Sequence, residues 1–478
     1  MGYKSGVDKR QLSLLPASLE EYIPEEHICR VIMAFTAQLD MGALGYKYAE
    51  SRSTGRYPYD PRMMLNLYLY GYLHRVRSSR RLRDETKRNV EVMWLMEGLR
   101  PDDKTISNFR KDNAKALRET FRVFTRMCRK LGLYGEELEA TDGTKFRANN
   151  ALKNHHNGTV VQNEIQRIEK KINEYLVALE RADQEEEERK EPSGREIRAA
   201  LEMLKERKAG FEELYTQVQA EGEISTVDPD SRLMHSGGDS RLLNVGYNVQ
   251  TVVDGKYHMI TDFEVTNNSG DSGELHRMSV KALEELEVEE ITNLADRGYY
   301  NGEDLFACER DGVTCLVAKP ETGPKKTEGF AHKDFKYDQE KDVYECPCGK
   351  ELRYMRNHRS SAGKERRIYA NYEACAHCER KAECTTYRYR EVMRLTTQDT
   401  LDIVDERTRK NKELYRRRSE IVEHVFGTVK AVWGYKQYLC RGKVKVTAET
   451  AMAYLAYNMR RTINIFRESK ISLTKALT

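Results

Sequence analysis

The sequence predicts a mixed α/β chain in which an all-α N-terminal part precedes a sheet-containing part that is interrupted twice, once by a helical hairpin and once by a Cys-rich segment. Three observations predict it. Residues 1–132 show helical spacing nearly throughout. Residues 133–478 hold five short strand-like runs between Leu138 and Ala318, separated by helical ones. Two blocks, 155–225 and 320–400, break that alternation. Composition sets the outer bounds: 478 residues are too many for one compact domain, so about two to four units are expected. The net charge is only +4, so affinity for nucleic acid must come from local clustering of Lys and Arg. No apolar run is long enough to span a bilayer, which excludes a membrane partner. The N-terminus, MGYKSGVDKRQLSLLP, lacks the apolar core of a secretory signal and reads as part of the mature protein. Ten cysteines without an export signal point to reduced thiols or metal ligands, not a disulfide framework.

In the N-terminal part, Pro24 with Glu25 and Glu26 opens a helix through HICRVIMAFTAQL, and Asp60-Pro61 opens another through RMMLNLYLYGYLHRV. A basic stretch follows. Arg75, Arg77, Arg80, Arg81, Arg83, Lys87 and Arg88 outnumber Asp84 and Glu85, a density that suits phosphate contacts or, more plainly, an exposed helix face. A helix through DETKRNVEVMWLMEG ends near Gly98, and after the turn LRPDDK Thr105 caps a second one through ISNFRKDNAKALRETFRVFTRMCRK. The pair has the spacing of a helix-turn-helix, with Lys104 and Arg110 as candidate DNA contacts.

The first strand is Leu138 to Phe146. Beyond it Val161, Ile165, Ile168, Ile172, Leu176 and Leu179 recur at helical spacing. Ile197, Leu201, Leu204, Phe211, Tyr215 and Val218 do likewise, with a lapse at Lys208. QEEEERKEPSGRE, with Pro192 and Gly194, breaks the two, so an antiparallel helical hairpin projects here, an inert spacer if nothing more. The sheet resumes in GYNVQTVVDGKYHMITDFEVT, two strands joined at Asp254-Gly255. Asp271 to Leu286 reads as a helix, Glu290 to Ala295 as a strand, Glu303 to Arg310 as a helix and Thr314 to Ala318 as the last strand.

The second insertion carries Cys346, Cys348, Cys375, Cys378 and Cys384. A small segment with little core and clustered thiols suits a structural zinc site, Cys375, Cys378 and Cys384 joined by either Cys346 or Cys348. Unmetallated thiols are the alternative. Cys29, Cys128, Cys308, Cys315 and Cys440 lie among apolar neighbours and read as core. Toward the C-terminus, Trp433 and Tyr435 stand among Lys430, Lys436, Arg441, Lys443 and Lys445, a mixture for base stacking and phosphate holding or an aromatic core patch. The closing helix, AETAMAYLAYNMRRTINIF, is amphipathic and should pack on the sheet.

One further helix, ELYRRRSEIVEHVFGTVK, places Glu423, Phe426 and Lys430 on one face. Alone it is a solvated basic helix. Asp142, in ELEATDGTKFRANN, and Asp296, in EITNLADRGYYN, each follow or sit in a strand-like run, and three converging carboxylates make a metal site. Asp142-Gly143-Thr144, Ala295-Asp296-Arg297-Gly298-Tyr299 and Val422-Glu423-His424-Val425-Phe426-Gly427 resemble the motifs of the DDE transposases of bacterial insertion sequences. The resemblance covers nearly the whole chain. The family's Y-x2-R-x3-E-x6-K pattern is met by Glu423 and Lys430, but Ser419 occupies the Arg position and Tyr415 and Arg418 stand one residue early. On an ideal helix that turns Arg418 well away from Glu423.

The resemblance implies a ribonuclease H-like, retroviral-integrase-like catalytic domain over 133–478 and an InsH-type DNA-binding domain over 1–132. Asp142, Asp296 and Glu423 would be the catalytic carboxylates, holding Mg2+ or Mn2+, with Lys430, Arg418 and Tyr415 in support. It also implies double-stranded DNA as partner (element ends and target), a homodimer on that DNA, and a bacterial cytoplasmic, nucleoid-associated location. The N-terminal half would recognise the terminal inverted repeats, with Arg75, Arg77, Arg80 and Arg81 beside Lys104, Arg110, Trp433 and Arg441 as candidate DNA contacts. A DNA-binding repressor descended from such an enzyme, or a metal-dependent nuclease, are the other readings.

Overall fold

The computed structural model describes residues 18–50, 57–184, 194–235, 243–320, 330–360, 365–469 and 473. The N-terminal stretch read as mature protein and the hairpin break at Pro192 lie outside the described residues.

Helix α1 (Ile28–Ala37) starts later than Pro24 predicts, because the extended His27 takes the N-cap and its Nδ1 accepts the Cys29 N–H at 3.3 Å. Helix α2 (Pro61–Leu73) begins where Asp60-Pro61 places it, with Asp60 accepting the Arg62 N–H at 2.7 Å. It is buried on nearly every side. The helix expected to end near Gly98 is two, α3 (Ser79–Arg88) and α4 (Val90–Leu95). Asn89 leaves helical geometry between them, and its side chain accepts the Glu91 N–H at 3.0 Å, recapping the chain. The next helix also divides, into α5 (Asp103–Asp112) and α6 (Ala114–Lys130). Its cap is Asp102, which accepts the Thr105 N–H at 2.6 Å, so Thr105 is not the cap. Asn113 sits at the division, its amide oxygen taken by the Lys47 N–H at 2.6 Å.

The sheet begins with β1 (Leu138–Arg147). The first insertion then forms: β2 (His155–Asn157), α7 (Gly158–Gln184), α8 (Gly194–Glu221) and β3 (Glu223–Ser225). β2 and β3 pair antiparallel as a clip at its base. Val161, Ile168, Ile197, Leu201 and Val218 are buried, and Lys208, the lapse in the apolar repeat, reaches Glu169 on the opposite helix at 2.9 Å. The chain returns through β4 (Arg232–His235), β5 (Leu243–Asp254), β6 (Ile260–Thr266), α9 (Leu275–Leu286), β7 (Ile291–Ala295), α10 (Gly302–Arg310) and β8 (Val313–Val317).

β4 and β6 both pair with β5, and the order continues β5-β1-β7-β8. β5 and β6 run antiparallel to their neighbours, whereas β1, β7 and β8 are mutually parallel. β5 is buried along almost its whole length because helices cover both faces. The β5–β6 connection is longer than a two-residue turn: Asp254 accepts the N–H groups of Lys256 and Tyr257, and Gly255 donates to the Leu138 carbonyl at 2.7 Å. α9 starts four residues after Asp271, which leaves Asp271 in the loop before it.

The Cys-rich insertion contains β9 (Lys336–Asp338), β10 (Val343–Glu345), β11 (Glu351–Arg359), β12 (Glu365–Ala370), α11 (Tyr372–Ala376), α12 (Lys381–Cys384) and β13 (Val392–Leu395). Its strands form an antiparallel sheet in the order β13-β12-β11-β10-β9. Contrary to the expectation of little core, Phe335, Tyr344, Leu352, Tyr369 and Val392 pack together inside it. Helices α13 (Gln398–Lys410), α14 (Lys412–Phe426) and α15 (Lys443–Glu468) follow, with a π turn over Gly427–Val432 extending α14. α15 packs on the sheet through the Thr251–Tyr454 hydroxyl pair (3.0 Å) and through Asn458, which accepts the Ile260 N–H at 2.8 Å. It also packs on α2 and α6. One hydrophobic core therefore runs from α1 through the sheet to α15.

Candidate active site

Strand register places the first two carboxylates. Thr141 is paired with Ala295 in the parallel β1–β7 ladder, so Asp142, in the middle of β1, and Asp296, just past the end of β7, stand side by side on neighbouring strands. Asp142 lies opposite Thr251, whose hydroxyl meets Tyr454 of α15, and therefore faces the side covered by α14 and α15. Its Oδ1 accepts the Gly143 N–H at 2.8 Å, and Arg418 Nη1 of α14 stands 3.6 Å from Oδ2. Burial, and next the negative charge of Asp296, push the Asp142 carboxyl up to about 7 against the pull of Arg418. Asp296 Oδ1 accepts the Gly298 N–H at 2.7 Å, capping a short turn that seats Tyr299 in the core with its hydroxyl donated to Gln250.

A third acid stands here that the sequence reading placed in a helix. Asp271 Oδ1 accepts from Asn248 Nδ2 at 2.8 Å and Gln250 Nε2 at 2.7 Å, and its charge also acts on Asp142. Gly143 makes room for it: a Cβ there would lie 2.3 Å from Asp271 Oδ1. The signal was present in Ser269-Gly270-Asp271-Ser272-Gly273, a composition that favours a loop over a helix start.

Glu423 is exposed on α14, and among the described residues its carboxylate has no hydrogen bond or ion pair. Asp142, Asp296 and Glu423 do not all lie within 4.8 Å of one another; among the described residues the group that does is His27, Cys29 and Glu91, in the N-terminal helices. Glu420 is turned toward His258, on which its charge acts, and Arg417 donates to the Gly255 carbonyl at 2.8 Å, so that side of α14 faces the β5–β6 turn. Lys430 reaches β1, donating to Thr144 Oγ1 at 3.0 Å and to the Lys145 carbonyl at 2.8 Å. Arg418, expected to turn away from Glu423, is engaged instead by Asp142. Tyr415 is half-buried and lines a cleft with Asp405, Thr408 and Arg409.

The candidate DNA contacts divide. Arg75, Arg80, Arg81, Lys104 and Arg441 are exposed. Arg77 is internal to the fold: it stacks 4.2 Å from the Tyr435 ring centroid and donates to buried Glu449 at 3.2 Å. Arg110 is 7% exposed, beside Tyr68. Both were placed on an outer surface by helical spacing, which does not see that α15 closes over α2 and α5. Trp433 is half-buried against Tyr435 and Tyr457.

The five clustered cysteines converge on one cavity of about 30 Å³, with Cys348 and Cys378 Sγ 3.9 Å apart. Burial raises Cys348 and Cys384, and neighbouring thiols add to it in both. No three of these sulfurs lie within 4.8 Å of one another. Cys29, Cys128, Cys308 and Cys315 are buried, as expected of core, but Cys440 is only partly so.

Residues 17–112 match the family described as a transposase domain (DUF772), and residues 345–463 match the transposase DDE domain family. Together the two matches support an insertion-sequence DDE transposase. The second match takes in β11–β13 of the Cys-rich sheet, α14 with Glu423, and most of α15; it does not reach the strands that carry Asp142 and Asp296. No curated protein and no solved structure gives a significant match. A transposase DDE domain implies divalent-metal dependence in general, and the transposase families imply DNA binding. Among the transposase's described residues, no helix is long and apolar enough to cross a membrane.

Proposed function

We propose that this transposase binds the terminal inverted repeats of an insertion sequence and catalyses metal-dependent DNA cleavage and strand transfer, with Asp142, Asp296 and Glu423 as its catalytic carboxylates. The observation that carries the reading is the side-by-side placement of Asp142 within β1 and Asp296 just past the parallel β7, with α14 laid across them. The strand order β6-β5-β1-β7-β8 supports a ribonuclease H-like catalytic domain over 133–478, and the helices of 1–132 supply a DNA-binding domain. The insertions over 155–225 and 320–400 are then additions to that sheet.

The donors fit a divalent ion. Asp142 is driven toward its neutral form by burial and by Asp296, a charge deficit that a cation relieves, and the donor set is all oxygen, which favours Mg2+ over softer metals. When bound, such an ion supplies positive charge against the phosphoryl oxygens and activates the attacking hydroxyl. Arg418 steadies Asp142, Lys430 ties α14 to β1 beside the site, and Glu423, without a hydrogen bond or ion pair among the described residues, would complete the donor set. Zinc held by Cys375, Cys378, Cys384 and one of Cys346 and Cys348 would brace the Cys-rich sheet. A homodimer on DNA and a cytoplasmic, nucleoid-associated location complete the reading.

The test is incubation of the whole protein with duplex DNA bearing its own flanking repeats, with magnesium or with EDTA. Cleavage followed by joining, in magnesium only, is expected. Asp142→Ala and Asp296→Ala should abolish cleavage while end binding in a gel shift stays largely intact. Binding without cleavage in either condition would make the chain a repressor, and cleavage without joining a nuclease.

A further inference from the structure

We infer that the cleft between α5 and the segment leading into α15 is a binding site for the phosphodiester backbone of DNA, separate from the carboxylates. The inference rests on the proposed function and names where the substrate's backbone is held. The cleft is open, of about 300 Å³, and is lined by Ser107, Arg110 and Lys111 of α5 and by Asn149, Arg441 and Lys445. Four cations meet there. Among the described residues, none of them forms an ion pair with a carboxylate. Glu449, whose charge acts on Arg110, is 2% exposed and already accepts from Leu439 N, Cys440 N and Arg77.

Arg110 carries the case. Its side chain is more than nine-tenths buried, yet Nη1 has no hydrogen-bond partner. A guanidinium charge held out of water without an ion pair among the described residues is costly, and an anion seated in the adjoining cleft would offset it. The hydroxyl of Ser107 and the mobile-armed Lys111 and Lys445 are further donors at the rim. The cleft is also tied to the carboxylates: Arg441 Nε donates to the Asn149 carbonyl at 3.0 Å, and Asn149 lies just beyond β1, which carries Asp142. A backbone held here is thereby fixed with respect to both the N-terminal helices and the reacting strand.

The experiment measures binding of the full chain to short duplexes over a salt series, with the Lys111→Gln/Lys445→Gln double variant compared by melting to confirm that it folds. Each lost phosphate contact lowers the slope of log K against log salt by about 0.9, so the double variant should be shallower by about 1.8. It should also be weakened by the same factor on a repeat-bearing duplex and on one of arbitrary sequence, because phosphate contacts carry no sequence information. Cys440, a partly exposed thiol in the cleft, gives a second readout on the unmodified chain. Its alkylation, followed by mass spectrometry, should be slowed by duplex and not by inorganic phosphate at equal phosphate concentration. An unchanged slope, or alkylation indifferent to duplex, overturns the inference; so does protection by inorganic phosphate as strong as by duplex, which would mark a small-anion site. If the unmodified chain binds neither duplex, the proposed function itself fails.

Discussion

Asp142 concentrates the chemistry in a single residue. Its folded-state carboxyl titrates near about 7 while an unfolded Asp titrates near about 4, so the metal-free fold binds a proton more tightly than the unfolded chain between those values. Stability is therefore full below about pH 4 and is lost as pH rises toward about 7, by on the order of 4 kcal/mol. In EDTA, Asp142→Asn should raise the melting temperature at pH 8 and lose that advantage below about pH 4, and magnesium should stabilise the unmodified chain at pH 8 but not the variant. A melting curve for Asp142→Asn that parallels the parent across the whole pH range would show that burial is not strained there. Glu423 and Glu420 offer a second test at this scale. Glu423→Gln should remove cleavage with the fold retained, whereas Glu420→Gln, on the His258 side of α14, should cost less than about tenfold, or about 1.4 kcal/mol. The reverse ranking in a strand-cleavage assay would mean that α14 is read on the wrong face. Gly143 belongs here too. Gly143→Ala should disturb Asp271 and destabilise the chain, because the new methyl would sit 2.3 Å from Asp271 Oδ1.

Among the elements, α14 and the Cys-rich sheet depart furthest from their sequence expectations. Glu423 and Lys430 were read two turns apart on one ideal helix, but Lys430 lies within the π turn over Gly427–Val432, which changes the phase and lets Lys430 reach β1. The Cys-rich sheet has its own aromatic core, in which Tyr337 and Tyr369 both donate to Asp342, at 2.7 and 2.6 Å. Under the proposal, zinc would then not be required to create the sheet and would lock only the loops that bear the thiols. Freshly purified, reduced protein is expected to contain about one zinc per chain, and Cys378→Ser and Cys384→Ser to lose it while keeping the strands. Elemental analysis that finds no zinc would remove the site, and loss of the sheet's circular dichroism in the Ser variants would show that the aromatic core is insufficient.

At the scale of the molecule, the N-terminal helices are bound into the sheet by more than the shared core. Arg118 of α6 pairs with Asp262 of β6, which is fully buried, and Arg122 and Arg126 both pair with Glu285 of α9. Arg118→Leu leaves the Asp262 charge with only the distant Arg122 at 3.8 Å and should cost about 3 kcal/mol. Because helices and sheet share a core, that loss should appear as a lower single melting transition reporting on both. Two separated transitions, with only the helical one shifted, would show that the units unfold independently.

Much of this was legible in the residues alone, and for a local reason. The Asp60-Pro61 start, the heptad-like repeats of the hairpin and the five strands in order depend on spacing and on capping chemistry within a few residues. These act the same in any tertiary context. Tertiary structure decided what spacing cannot reach. It broke two N-terminal helices at Asn89 and Asn113, where side-chain amides found better partners than the helix offered. It buried Arg110 and drew Arg77 onto Tyr435 and Glu449, through a segment and helix, α15, more than 300 residues away. It also drew Asp271 out of its expected helix to stand against Gly143, because burial of two amide side chains, Asn248 and Gln250, needs an acceptor that only another part of the chain provides.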